Sequence, residues 1–182
     1  MYLRSLEGCR LAIGSYPSFD YDARGGGGKA TVDVTQQNNV LNISFLSEAF
    51  SIPPLTSQTT KFLSLPIPAG LKIVMAMDKL EGTLDTKSGE IFLNFEARFV
   101  FSIFSIFHFP DLIIKTSLET GKVKSNLFEE EGLVLQKDGK ATLVGIALVP
   151  TTKNKILDAF LGLPNEALAV LQCVLKKSDL TA

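Results

Sequence analysis

The sequence offers few side chains for acid–base, nucleophilic or metal chemistry, and they are not arranged as a known site. His108 is the one histidine, so a serine or cysteine nucleophile would need it as general base. It lies in the aromatic run 106–110, and no serine has the Gly-x-Ser-x-Gly setting of a nucleophile elbow. One histidine and two distant cysteines give no zinc-ligand spacing. The sequence therefore predicts no catalytic residue, no metal and no cofactor, and a His108 that is hydrogen-bonded near a sheet end.

The densest group of polar side chains lies between Tyr16 and Arg24. Asp20 and Asp22 flank Tyr21 and would point to one side of an extended segment, as two carboxylates must to share a cation or to act as acid and base. No third ligand follows in register, and a solvated face explains the pair equally well. An enzyme with its site at Tyr16–Arg24 is therefore a hypothesis that depends on local density alone.

Two short runs of identical residues also need an interpretation. The four glycines at 25–28 lack the Lys-Ser/Thr ending of a phosphate-binding loop. Because they have no side chains to pack, they predict a mobile loop over residues 23–29. The acidic run Glu129–Glu131 precedes a glycine and predicts a solvated turn.

Phenylalanine is concentrated near the middle of the chain. Seven of the 13 phenylalanines lie between residues 92 and 109. Apolar residues alternate with polar ones from 91 to 101, whereas from 102 to 110 both faces of an extended chain would be apolar. Such a segment must be covered on both faces, or it meets lipid, a ligand or a partner. The residues expected to line a ligand site here are Phe99, Phe101, Phe104, Phe107, His108 and Phe109.

Composition predicts one domain over residues 1–182. The apolar fraction is 46%, the charged fraction is 20% and the formal net charge is −1, which suits a packed core and gives no overall charge that would attract nucleic acid. No signal peptide and no run of about 18 apolar residues is visible, so a cytoplasmic location is expected, with a removed targeting segment left open. Cys9 and Cys173 are interpreted as two buried thiols, with a bridge between them left open.

The elements expected to position these residues are hairpins of alternating strands. Alternation at 29–34 and 41–45 is separated by polar residues 36–39, and residues 86–89 join the runs 80–85 and 91–101. Further hairpins are predicted for 112–118 with 122–124, and for 133–135 with 141–149. The fold class is therefore mainly β, an antiparallel meander that closes into a β-barrel or sandwich with one or two short C-terminal helices.

Two segments do not fit the meander. Residues 51–70 contain four prolines and predict an excursion over one end of the sheet, with a short strand at 62–65. Residues 151–182 predict a helical or mixed segment. A helix near 156–161 is indicated by i, i+4 spacing before Gly162, and 167–175 favours a helix slightly over a buried closing strand.

Three functions stay open at this point. The first is a non-enzymatic barrel that binds an apolar small molecule, such as a lipid, isoprenoid or pigment, in its cavity. The second is an interaction or assembly module whose phenylalanine strand docks a protein or a membrane surface. The third is the enzyme at Tyr16–Arg24. No nucleic-acid partner is expected.

Overall fold

The computed structural model describes residues 1–34 and 39–176. Within these ranges the chain forms fifteen β-strands, one α-helix and a 3-10 turn at Ser47–Ala49. The strands are β1 (Tyr2–Ser5), β2 (Cys9–Ile13), β3 (Phe19–Tyr21), β4 (Gly27–Val34), β5 (Val40–Phe45), β6 (Thr60–Phe62), β7 (Leu65–Pro66), β8 (Leu71–Asp85), β9 (Ile91–Ile103), β10 (Phe107–His108), β11 (Leu112–Glu119), β12 (Lys122–Lys124), β13 (Glu129–Glu131), β14 (Lys140–Val149) and β15 (Asn165–Lys176), and the helix is α1 (Lys155–Leu161).

Eight of these strands close into an antiparallel ring. Its order is β1-β4-β5-β8-β9-β11-β14-β15, and β15 returns to β1 with Leu3 opposite Leu175. Closure gives every ring strand two neighbours, so the ring has no free sheet edge. The predicted mainly β, antiparallel fold with barrel closure is confirmed.

The sheet divides at β15. Its second half pairs with β1, while its first half pairs with β2, with Ala167 opposite Ile13. From β2 the sheet continues through β3, β6 and β7, a set of strands that we call the side sheet. Leu55, just before β6, bridges back to Ile73 of β8, and Cys9 and Tyr21 of the side sheet share a buried cluster with Met75 of β8.

The barrel core consists of the inward positions of the alternating strands. Leu93 of β9 and Leu143 of β14 are fully buried in one core cluster, which also contains residues of β1, β4, β5, β8, β11 and β15. The predicted alternation of β9 is confirmed, because its residues 91, 93, 97 and 101 are buried while 92, 94 and 98 are exposed. Burial of this alternating face supplies the main stabilisation of the barrel.

Helix α1 covers one end of the barrel. The Asn154 side chain accepts hydrogen bonds from the backbone N–H groups of Ile156 and Leu157, and Gly162 ends the helix in the left-handed conformation. Leu157 and Leu161 pack against the ends of β9, β11 and β14. The predicted short helix is thus present, with its cap and its terminating glycine.

The slight preference for a second helix at 167–175 is wrong, because these residues belong to β15. The apolar residues are continuous because β15 is covered on both faces. Cys173 and Leu175 face the barrel core, whereas Leu168 and Val170 contact Val123 of β12 outside. A strand buried on both faces can carry the same residues as a helical stripe. The lysine at 177 lies outside the described residues.

The loop predicted at 23–29 is wrong for residues 27–29, which belong to β4. The glycines are needed for close approach, since a Cβ at Gly27 would lie 2.0 Å from the carbonyl oxygen of Leu3 in β1. The acidic run is also not a turn, because Glu129–Glu131 forms β13. Strand β13 pairs with β12, so the hairpin predicted between 112–118 and 122–124 is not formed. Both Lys122 and Lys124 form ion pairs with Glu129.

The other predicted hairpins have mixed outcomes. Strands β8 and β9 form the expected hairpin, but β8 begins at Leu71 instead of near residue 80. The pair β4 and β5 is formed, and residues 36–38 of its connection lie outside the described ranges. Residues 133–135 meet β14 by one bridge, between Leu133 and Thr142. In the proline-rich excursion the short strand predicted at 62–65 is a tight hairpin instead, formed by β6 and β7.

Candidate functional site

A cavity of about 170 Å³ lies between the ring and the side sheet. The inward side chains of β8, β9, β11, β14 and β15 form one wall, and residues of β2, β3, β6 and α1 complete it. Lining side chains from the two walls include Ile13, Phe19, Ile73, Phe99, Phe101 and Leu161. The cavity exists because the sheet divides at β15, so that the two walls separate instead of interdigitating.

Two small residues lie side by side in this cavity wall. Gly145 of β14 and Ala169 of β15 are register partners, and both line the cavity. Gly145 is required by the neighbouring strand, since a Cβ there would lie 2.2 Å from the carbonyl oxygen of Ser117 in β11. Side chains this small leave the space that larger residues fill elsewhere in the barrel.

The lining offers no free polar group to a ligand. Its two polar side chains are Thr60 and Thr116. The Thr116 hydroxyl donates to the carbonyl oxygen of Ile146 at 2.8 Å, and the Thr60 hydroxyl lies 3.3 Å from that of Thr59. A charged ligand would lose its hydration here without compensation, whereas an apolar one would not. The site is therefore suited to hydrocarbon.

The cavity reaches the surface beside α1. Phe160 lines it and is still 58% exposed. The Tyr16 hydroxyl donates to the carbonyl oxygen of Phe160 at 2.6 Å, which joins the loop after β2 to the helix. The rim of the cavity on this side thus consists of α1 and the residues that hold it in place.

The structure separates the predicted phenylalanine site into two groups. Phe99 and Phe101 line the cavity, and Phe109 packs beside them against the cluster that includes α1. Phe104 is 66% exposed and Phe107 is 64% exposed, and His108 is also exposed. Residues 102–110 are not one strand covered on both faces, because the chain reverses after Ile103 and returns as β10.

The reversal uses bulky residues in a conformation that usually requires glycine or asparagine. Phe104 and Ser105 have φ values of 52° and 58°, and Leu63 and Ser64, between β6 and β7, have 51° and 65°. A non-glycine residue in this region costs roughly 1–3 kcal/mol. Sequence reasoning missed both turns because neither contains the Asn-Gly or Asp-Gly signal.

The polar group at Tyr16–Arg24 does not converge on a shared site. The buried Tyr21 hydroxyl donates to the carbonyl oxygen of Pro53, and burial raises its pKa. Arg24 pairs with Asp22 at 2.6 Å, and its hydrogen bond lowers the pKa of that carboxyl. Asp20 is exposed opposite Lys61. The two carboxylates, for which a shared role and a solvated face were both open, therefore have separate environments.

Both cysteines are buried free thiols. The Cys9 sulfur lies 3.3 Å from the Leu6 carbonyl oxygen and accepts from the Gln172 backbone N–H at 3.3 Å. Burial raises the pKa of the Cys9 thiol and raises that of Cys173 to about 12. Thiols held protonated in this way are poor nucleophiles and poor metal ligands.

Across residues 1–34 and 39–176, no three or more His, Cys, Asp and Glu side chains come together in a way that could hold a metal ion. Over the same residues, no helix has the length and apolar character needed to cross a membrane.

Fold and cavity together define the class of small antiparallel β-barrels with an apolar internal cavity. Comparison with protein-family models, with curated proteins and with solved structures found no match to this chain. The cavity and the surface around it are therefore the features of this chain that bear on its function.

Proposed function

We propose that this protein binds the hydrocarbon chain of a lipid or isoprenoid in the cavity and catalyses no reaction on it. The observation that carries the proposal is the cavity lining, which is apolar apart from two threonine hydroxyls that already have partners inside the protein. Apolar pockets with few polar groups are typical of such ligand sites.

The volume favours one end of a chain over a whole ligand. A cavity near 150 Å³ accepts a benzene-sized molecule, whereas sites that enclose a drug-sized ligand measure roughly 300–1,000 Å³. At about 170 Å³ the space suits the end of an acyl or isoprenyl chain and is too small for a large planar pigment. The rest of the ligand's hydrocarbon chain and its polar group would extend out of the cavity beside Phe160.

The polar group at Tyr16–Arg24 supports no second proposal. The hydroxyls of Tyr16 and Tyr21 each donate to a backbone carbonyl, and Arg24 is paired with Asp22. These atoms hold the loop after β2 and the end of β3 in place.

Native mass spectrometry of protein purified from its own host tests the proposal. We expect an additional mass of a lipid or isoprenoid that leaves on denaturation and extracts into organic solvent. Repeated isolation without any such mass, combined with no uptake of added 1-octanol, would contradict it.

A further inference from the structure

Two hairpin tips lie beside the end of β8 that lines the cavity, because Ile67 and Leu71 of the lining follow β7 and Leu71 is paired with Ile103 at the end of β9. The β6–β7 tip contains Leu63, which is 65% exposed, and the β9–β10 tip contains Phe104. The five Cα-to-Cα steps from Leu65 to Gly70 span at most about 18 Å, and the N–H of Phe104 donates to the Gly70 carbonyl oxygen at 2.8 Å. The tips are therefore held close together on one side of the molecule.

Among the exposed large apolar side chains of the described residues, six lie on these tips and on the last turn of α1. We call this set the rim, and its members are Leu63, Leu65, Phe104, Ile106, Phe107 and Phe160. Soluble monomers rarely expose a contiguous group of large apolar side chains unless it contacts a partner or a lipid surface. A single exposed apolar residue needs no explanation, but two neighbouring tips that each expose several apolar side chains do.

Backbone strain at the tips points the same way. Leu63 and Phe104 both occupy the left-handed region, where asparagine or glycine would fit without strain. Strained residues of this kind persist only where the surrounding structure holds them in place, and they cluster at functional sites. An apolar residue is therefore maintained at the apex of each turn at a conformational cost, which at Phe104 is offset in part by the contact of its ring with Gly70.

The charge around the rim is basic. Lys72 stands opposite Ser102 in the sheet, Lys61 lies in β6 just before the first tip, Lys153 precedes α1 and Lys155 begins it. Within residues 1–34 and 39–176 the lysines in ion pairs are 79, 115, 122, 124 and 140, so none of these four is neutralised in that way. Carboxylates on these elements and their neighbours are Asp20, opposite Lys61, Asp111, which is 3.9 Å from Arg98, and Asp158 in α1, which accepts hydrogen bonds from Thr152.

We propose that the rim inserts into the interface of an anionic lipid bilayer, with Leu63 and Phe104 at the apices and Lys61, Lys72, Lys153 and Lys155 facing the headgroups. Interfacial binding of this kind depends on buried apolar side chains together with attraction of lysines to anionic lipid. The lysines distinguish a lipid surface from an apolar protein groove, which would have to bury them. This docking does not depend on whether the cavity holds a ligand.

Flotation with vesicles tests the proposal. The wild-type chain is mixed with vesicles of phosphatidylcholine and phosphatidylglycerol, or of phosphatidylcholine alone, and with the double variant Leu63→Asn, Phe104→Asn in parallel. Asparagine tolerates the left-handed conformation, so the variant keeps both turns while it loses both apolar side chains. The matched control is Val34→Asn, which removes an exposed apolar side chain from the last residue of β4. Val34 is paired with Leu41, which is paired with Leu84 near the β8–β9 turn, so it lies at the end of β8 away from the rim.

We expect the wild type and Val34→Asn to float with the anionic vesicles and less with the neutral ones. The double variant should bind the anionic vesicles at least about tenfold more weakly while its urea unfolding midpoint does not fall. Equal flotation of double variant and wild type would overturn the proposal. A wild type that stays in the aqueous phase, whether as a monomer or self-associated through the tips, would also overturn the proposal.

Discussion

Phe104 is seated directly on Gly70. Besides the hydrogen bond from the Phe104 N–H to the Gly70 carbonyl oxygen, a Cβ placed on Gly70 would lie only 2.5 Å from the Phe104 ring. Gly70 itself has a φ of +91°. The β9–β10 tip is thus fixed to the residue that precedes β8, and the absence of a side chain at position 70 is what permits the contact.

Gly70→Ala should therefore destabilise the protein and displace the tip. The added methyl group meets both the unfavourable φ and the ring, so we expect the free energy of unfolding to fall by about 1–3 kcal/mol, measured by urea denaturation. Gly121→Ala is the control, because a Cβ there meets nothing closer than 3.8 Å. Equal unfolding midpoints for the two variants would show that the contact does not constrain position 70.

Asn154→Ala should loosen α1 over the cavity. Its side chain satisfies two backbone N–H groups at the start of the helix, both at 3.0 Å, and loss of such a cap costs about 1 kcal/mol. We expect that loss in urea denaturation and faster amide exchange in residues 156–161. Asn154→Asp, which keeps a capping oxygen, should retain most of the stability. If Asn154→Ala and wild type exchange alike, the helix is held by Leu157 and Leu161 alone.

The buried thiols should make the fold sensitive to alkali. Burial raises the pKa of Cys173 from 9.0 to about 12, so the folded state keeps a proton that the unfolded state loses. The stability contributed is complete below pH 9 and is lost as pH rises from about 9 towards 12, by about 1.4 kcal/mol per pH unit. Burial shifts the pKa values of Cys9 and Tyr21 upward as well.

Urea unfolding at pH 8 and pH 10 measures this loss, and Cys173→Ala gives the comparison. We expect the variant to be less stable at pH 8 but to lose less stability between the two pH values. If the pH dependence is the same in both proteins, the Cys173 thiol does not account for it.

The sequence was sufficient where structure depends on near neighbours. The alternation from Ile91 to Phe101, the turn at 86–89 and the capped helix before Gly162 are each specified within about a dozen residues, and each is present. A period of two and a glycine or cap at the correct position carry their physical meaning without knowledge of the rest of the chain.

It was insufficient where a strand's role depends on distant segments. The apolar residues 167–175 suit either a helix or a strand, and only the contacts of β15 with β1, β2 and β14 decide for the strand. The glycines at 27 and 28 resembled a loop because the approach of β1 cannot be inferred locally.

Only part of the cavity lining could be predicted from the sequence. Phe99 and Phe101 lie on an alternating strand and were found, but the side sheet that completes the cavity contains strands of two to five residues. The alternation of Leu71, Ile73, Met75 and Met77 was a usable signal for the first half of β8, and it was overlooked. The two tips carry no turn signal of their own.

Calorimetric titration of 1-octanol into three purified proteins tests the central claim most directly. Ala169→Leu replaces a methyl by an isobutyl group inside the cavity beside Gly145, whereas Ala76→Leu makes the same exchange in β8, at a position opposite Arg98 that does not line the cavity. We expect saturable binding at one site for the wild type and Ala76→Leu, and at least about tenfold weaker binding for Ala169→Leu. Equal affinity of Ala169→Leu and wild type, or a wild type that binds no octanol, would contradict binding in the cavity.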